Sequence, residues 1–244
     1  MTARTNTDTL RQALQEPLAL QLSPLMGPDF AGTAEGEHFA IYTEPPEAPG
    51  RDEVLATLRA QLEAEAGVPL PGGDAPVSGE VLDSEDWEPG QAFEMDMDSD
   101  EVCGQVLFYR LILARDLHPV GYCAFEINAD ETGVIFVTLV ESWVRPQYRQ
   151  LGLESGFVLQ MGNAVYNLLA NLDARLQAAG ERSASFEVLL GLEQASVAGT
   201  ALLRSLANTL QGWSDPSAAR GAAGREPLGI TSVRVSVLPA SSAD

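Results

Sequence analysis

Residues 134–161 read VIFVTLVESWVRPQYRQLGLESGFVLQM, and the spacing of the apolar residues changes inside this stretch. Residues 134–144 are apolar and rich in β-branched side chains, which predicts a long strand. Pro146 cannot donate to a ladder and ends it. From Gly152 onward the apolar residues fall at Phe157, Met161, Val165, Leu168, Leu169, Leu172 and Leu176. That is the three-and-four repeat of one helix face, predicting a helix over 152–179, and Gly180 marks its stop. A strand end, a short turn and a helix start therefore meet near residues 145–153. A helix start offers unpaired N–H groups and the positive end of the aligned peptide dipoles, so an anion such as a diphosphate suits it. Gly152 lets the backbone approach such a ligand closely.

Two more strands precede this junction. Residues 106–114 (VLFYRLILA) are nearly continuous apolar sequence, as in a central strand buried on both faces. Residues 120–127 form the next strand, joined to the 134–144 strand by a polar turn over 128–133. After the helix come a strand over 185–192 and a helix over 195–210 with Val197, Ala201, Leu202, Leu206 and Leu210 on one side. A Gly/Ala/Pro/Ser-rich loop over 212–229 and an alternating strand over 230–238 follow. Toward the N-terminus, Asp8 is placed to cap a short helix carrying Leu10 and Leu14, which must stop before Pro17. Residues 38–43 read as a strand. Residues 52–66 read as a helix with Val54, Leu55, Leu58 and Leu62 on one face. The chain thus divides into an N-terminal segment, 1–50, with a short helix and a strand, and a main domain, 51–244. The main domain carries an acidic insertion over 68–101.

The 244 residues carry a net charge of −21, from 35 Asp and Glu against 14 basic residues, every one of them arginine. Such a surface repels nucleic acid and anionic membrane, which leaves a small-molecule ligand or a basic protein as the expected partner. The absence of lysine reads as the codon bias of a GC-rich genome or as selection against lysine chemistry such as self-acetylation. No run of apolar residues is long enough for a membrane helix, and the N-terminal MTARTNTDTLRQ lacks the apolar core of an export signal. A cytoplasmic protein is expected, with Cys103 and Cys123 as buried thiols rather than a disulfide. Asp96, Asp98 and Asp100 imitate the start of a calcium loop, but Glu101 stands where that loop needs glycine and Leu107 where it needs glutamate. His38 and His118 are isolated, so no metal site is expected.

The order of elements resembles that of the GNAT superfamily of N-acetyltransferases, and so does the run Val144-Arg145-Pro146-Gln147-Tyr148-Arg149-Gln150-Leu151-Gly152-Leu153. It looks like that family's acetyl-CoA signature, a strand ending in V-x-P-x-Y-R followed by a loop R/Q-x-x-G-x-G/A that opens a helix. The resemblance covers residues 104–211. It implies an α/β fold with a GNAT-like mixed central sheet flanked by helices on both faces. It also implies acetyl-CoA as co-substrate and transfer of an acetyl group to a primary amine. By the resemblance, the backbone of Trp143 and Val144 holds the pantetheine arm. The amides of Gln150, Leu151, Gly152, Leu153 and Ser155, with Arg149, hold the diphosphate. Glu141, then Glu126, is the candidate to take the amine proton, although each also reads as a surface glutamate at a sheet edge.

Two departures keep other readings open. Glu154 replaces the last small residue of the signature, and residues 195–212 lack the tyrosine that the family often uses as general acid; Tyr166 lies in the earlier helix. A catalytically inactive protein of the same fold, serving as a binding or regulatory module, is the second reading. An acidic, chaperone-like protein with a basic partner is the third. A diphosphate site at the junction requires strands 134–144 and 185–192 to run parallel and to diverge at the Val144 end.

Overall fold

The computed structural model describes residues 7–18, 22–23, 25–26, 39–45, 50–65, 92–94, 104–181, 185–193, 196–214 and 232–237. His38, Cys103, the acidic run Asp96, Asp98 and Asp100, and most of segments 68–101 and 212–229 lie outside these residues.

Eight strands build one mixed sheet: β1 (Leu25–Met26), β2 (Phe39–Glu44), β3 (Ala92–Glu94), β4 (Gly104–Arg115), β5 (His118–Asp130), β6 (Val134–Val144), β7 (Ser185–Leu192) and β8 (Ser232–Val237). Among the described residues four helices accompany it: α1 (Thr7–Ala13), α2 (Asp52–Glu65), α3 (Glu154–Ala178) and α4 (Val197–Ser214), with a short 3-10 turn at Pro146–Tyr148. The strand order is β1-β2-β4-β5-β6-β7-β8, and β3 also pairs with β4. Every pairing up to β5–β6 is antiparallel, whereas β6–β7 and β7–β8 are parallel. The change follows from the connections: tight turns join β4, β5 and β6, and helices α3 and α4 make the two crossovers that parallel pairs require.

The sheet has helices on both faces. On one, Leu10 and Ala13 of α1, Phe157, Met161, Val165, Leu168 and Leu172 of α3, and Leu203 and Leu206 of α4 pack with Leu107, Phe125, Val137 and Leu139 in one core. On the other, Leu55, Leu58 and Leu62 of α2 cover Phe108, Ile112, Tyr122, Ala124 and Trp143. β4 is buried along nearly its whole length, as its continuous apolar sequence predicts. The sheet takes strands from both sides of residue 50, and α1 shares its core with α3, so the N-terminal segment is built into the same body.

Several boundaries differ from expectation. α1 begins at Thr7, so Asp8 sits inside the first turn, 3.8 Å from Arg11, instead of capping it. β5 runs on to Asp130, which shortens the hairpin turn to 131–133, with Gly133 at φ 82°. β3 forms inside the acidic insertion. α3 starts at Glu154, leaving Gly152 in the turn before it. α4 continues through residues 212–214, which composition assigns to a loop. The reason is tertiary: Trp213 lies against Gly162 of α3, where an added Cβ would sit 2.7 Å from the ring, and stands edge-on to Tyr166 at 6.4 Å.

Candidate functional site

β6 and β7 pair from Val134 opposite Glu187 to Leu139 opposite Leu192. One more bond, from the Glu193 amide to the Leu139 carbonyl at 3.1 Å, closes the pairing. β7 ends there, while β6 continues along β5 through residues 140–144. Among the described residues, 140–144 of β6 therefore have no strand beside them on the β7 side, because β7 ends there and does not bend away. A bulge marks the point: Ala124 faces Glu141 and Phe125 faces Leu139, so Val140 is the extra residue. Bulges bend a strand locally, which fits its position at the opening of the gap.

The backbone of β6 beyond the bulge has a definite sense. The Arg145 amide donates to the Val120 carbonyl at 2.8 Å, and Trp143 pairs with Tyr122 on β5. Strand backbone alternates, so Trp143 and Arg145 turn their polar groups toward β5, and Ser142 and Val144 turn theirs toward the gap. The open side of β6 thus presents the backbone of Ser142, which sequence reasoning missed, together with that of Val144, and not that of Trp143.

The turn after β6 is anchored at several points. The Tyr148 hydroxyl accepts from Arg115 at 3.0 Å, and its ring stands edge-on to Phe39. Arg145 Nε donates to the Pro119 carbonyl at 3.1 Å, and Arg149 Nε donates to the Val144 carbonyl at 2.7 Å. Gln150 at φ 68° and Gly152 at φ 74° both adopt the left-handed conformation, which is costly for Gln150 and easy for Gly152. Among the described residues, the amides of Gln150, Leu151, Gly152 and Leu153 donate no hydrogen bond. The Ser155 amide does not belong with them, because it donates to the Gly152 carbonyl at 3.1 Å. Leu153 is the N-cap of α3 and makes no side-chain cap bond. The start of this 25-residue helix is therefore open to an external acceptor.

A cavity of about 1040 Å³ lies at this junction. Ser142, Trp143, Val144, Arg149 and Gly152 line it, together with the first turns of α3 and one face of α4. Glu154 also lines it, placing a carboxylate beside the open amides. Ser196 caps α4 on the facing wall, its Oγ accepting from the Gly199 amide at 3.0 Å. Tyr166 packs on Trp213 instead of lining the cavity.

Glu126 and Glu141 lie on the opposite, α2-covered face of the sheet. Glu141 is paired across from Ala124, and Glu126 across from Phe108. Both sit on interior strands, which corrects the expectation of a sheet edge. Only Glu141 belongs to the length of β6 that β7 leaves uncovered. It neighbours a buried polar group in which Glu44 meets Arg110 Nε and Arg59 Nη2, each at 2.6 Å. Burial pushes the Tyr122 hydroxyl far above its ordinary range; Arg110 opposes the rise, while Glu141 and Glu44 add to it.

Burial, reinforced by Glu193, raises the Glu126 carboxyl above the usual carboxylate value. The folded state therefore holds this proton more tightly than the unfolded chain. Stability falls as pH rises from the unfolded pKa through the raised folded one. Glu126→Gln is expected to raise the urea midpoint at neutral pH and to leave it unchanged well below pH 4. A gain that persists at low pH would have another cause.

Cys123 is fully buried with a raised pKa, an inert thiol. Among the described residues, no cluster of His, Cys, Asp and Glu could hold a metal ion, and no helix is long and apolar enough to cross a membrane. Comparison with family models, curated proteins and solved structures finds no match.

Proposed function

We propose that this chain is a GNAT-like acyltransferase that moves an acyl group, acetyl from acetyl-CoA in the simplest case, to a primary amine. The observation that carries the reading is the length of β6 that β7 leaves uncovered beyond Leu139 and Leu192, beside an uncapped helix start. The residues present fit the co-substrate with one exception. Ser142 and Val144 offer strand backbone to the amides of pantetheine. The open amides of 150–153 and the Arg149 guanidinium suit a diphosphate, whereas Glu154 opposes it.

In the reaction, the amine nitrogen attacks the thioester carbonyl carbon, the C–N bond forms and the C–S bond breaks. Glu141, on the uncovered part of β6, takes the amine proton in this reading. With no tyrosine on α4, the departing thiolate is protonated from solvent. The charge of −21 draws cationic acceptors such as a polyamine, an aminoglycoside-like amine or a basic protein terminus. A cytoplasmic setting supplies both the co-substrate and such amines.

Acetyl-CoA is expected to raise the melting temperature saturably, and an amine panel to release thiol. Glu141→Gln should lower kcat by about 100-fold or more, with little change in the KM for acetyl-CoA. If neither acetyl-CoA nor free CoA shifts the melt, the reading is wrong. The carboxylate of Glu154 in the cavity wall favours one rival, a binding or regulatory protein without catalysis. Its signature would be a melting shift with no thiol release across the panel. An acidic, chaperone-like role would appear instead as capture of a basic protein, with no response to CoA.

A further inference from the structure

On the α2-covered face, the strand register sets three charges in one transverse row. Glu44 of β2 stands opposite Arg110 of β4, Arg110 opposite Ala124 of β5, and Ala124 opposite Glu141 of β6. Residues directly opposite share a face, so the row reads carboxylate, guanidinium, methyl, carboxylate.

Arg110 thus lies between two carboxylates. Glu44 is one strand away on one side. Glu141 is two strands away on the other, roughly 10 Å across the sheet. Ala124 between them carries only a methyl group, and long side chains on one face reach each other over such a neighbour. The Tyr122 hydroxyl feels the charges of Arg110, Glu141 and Glu44 together, so all three converge on one spot. In the structure Arg110 leans toward β2. Its Nε is 2.6 Å from Glu44, and its guanidinium lies 5.8 Å from the centroid of the Phe108 ring. Arg59 reaches the other Glu44 oxygen from α2, also at 2.6 Å.

The direction of that lean bears on the base. A guanidinium within about 4–6 Å of a carboxylate favours its ionised form, which makes it a weaker acceptor of a proton. We propose that Glu44 is a positioning residue of the transferase: by holding Arg110 on the β2 side of Ala124, it keeps that guanidinium off Glu141 and preserves Glu141 as the base. The inference rests on the transferase reading above. The proton still passes from the amine nitrogen to Glu141 as the C–N bond forms. Around Glu141 stand also Arg59 of α2 with Glu63 beside it, Glu126 of β5 with Glu193 after β7, and Arg145 over the Trp143 ring. All of these are kept in the variants below, so a difference between variants reports on Arg110.

The test is Glu44→Gln, read in two ways. Carboxyl NMR of the glutamate-labelled chain, with the Glu141 signal assigned by its loss in Glu141→Gln, follows the base without turnover. Glu141 should titrate about one pH unit lower than in the wild type. In turnover with acetyl-CoA and the best amine of the panel, the acid limb of the kcat profile should move down equally. The plateau kcat should fall about three- to tenfold, with the KM for acetyl-CoA little changed. Glu44→Asp, gentler on the fold, should go part of the way. Glu44→Leu/Arg110→Met removes the guanidinium together with the carboxylate that holds it, and should bring both readouts back toward the wild type. A Glu141 titration that stays in place in Glu44→Gln and Glu44→Asp overturns the proposal and leaves the transferase reading standing. A fall in kcat without movement of the acid limb marks a structural role and overturns it too. If Glu141 moves as expected but the wild type releases no thiol with any amine, the transferase reading falls and takes the role of Glu44 in catalysis with it.

Discussion

Glu44→Ala is expected to cost about 3–5 kcal/mol of folding stability, because it strips the carboxylate from a buried charge cluster. The Glu44 side chain is only 4% exposed and meets Arg110, itself 3% exposed, and the half-exposed Arg59, each at 2.6 Å. Arg110 sits in the middle of β4, on the face covered by α2, and its charge has little access to water. Removing the carboxylate leaves that guanidinium with less compensation in a low-dielectric setting, and the desolvation already incurred is no longer offset. Arg59 is better solvated, so its own replacement should matter much less. Urea melts of Glu44→Ala, Arg59→Ala and the double variant Glu44→Leu/Arg110→Met separate these contributions. The double variant should recover most of the loss, since an apolar pair of similar volume avoids the desolvation altogether. A loss below about 1 kcal/mol for Glu44→Ala would mean that the pair behaves like a surface ion pair.

The same region shows what the amino-acid order reveals and what it hides. The long repeat from Phe157 to Leu176 is legible because one face of α3 is buried along its whole length, and a helix period persists only under such a constraint. β4 is legible because both its faces are covered. The orientation of β6 beyond residue 139 is not legible. Ile135, Val137 and Leu139 face the α3 side, and a strict period of two would put Glu141 and Trp143 there as well. The bulge at Val140 reverses the alternation. Glu141 and Trp143 then turn toward α2, and Val144 turns toward α3. One inserted residue thereby decides which carboxylate lies on the α2 side of the gap and which backbone groups point into it. Nothing in the residues ESWV announces it. The far end of α4 was hidden for another reason: Gly212 and the Ser/Pro-rich sequence after it favour a loop, but the fit of Trp213 against Gly162 outweighs that local preference. The junction itself was visible from the order strand, proline, glycine, helix. The small-residue face of α4 that completes the cavity was present in the sequence as Ala198, Ala201, Ser205 and Thr209, but only the packing of the helix pair shows that it faces a space.

Arg149→Ala and Glu154→Gln are expected to shift acetyl-CoA affinity in opposite directions, the first weakening it about 10- to 100-fold, the second strengthening it about fivefold. Both side chains line the cavity next to the open amides of residues 150–153, so a diphosphate there feels one favourable and one unfavourable charge. Arg149 has a second task, since its Nε holds the Val144 carbonyl and with it the turn. Its loss therefore removes both charge and positioning, which makes its effect the larger. Arg149→Lys keeps the charge but not the planar fork, and should fall between wild type and alanine. Glu154 is stabilised by the helix start that it occupies, so Glu154→Gln should also cost up to about 1 kcal/mol of stability in the ligand-free protein. Tighter binding on a less stable fold cannot arise from a general change in folding, and that combination separates an electrostatic conflict in the site from a structural effect. Calorimetry at two ionic strengths completes the argument: the gain from Glu154→Gln should shrink as salt screens the repulsion. Should both substitutions leave the affinity where it was while acetyl-CoA still binds, the diphosphate is not at the start of α3, and the gap between β6 and β7 serves some other ligand.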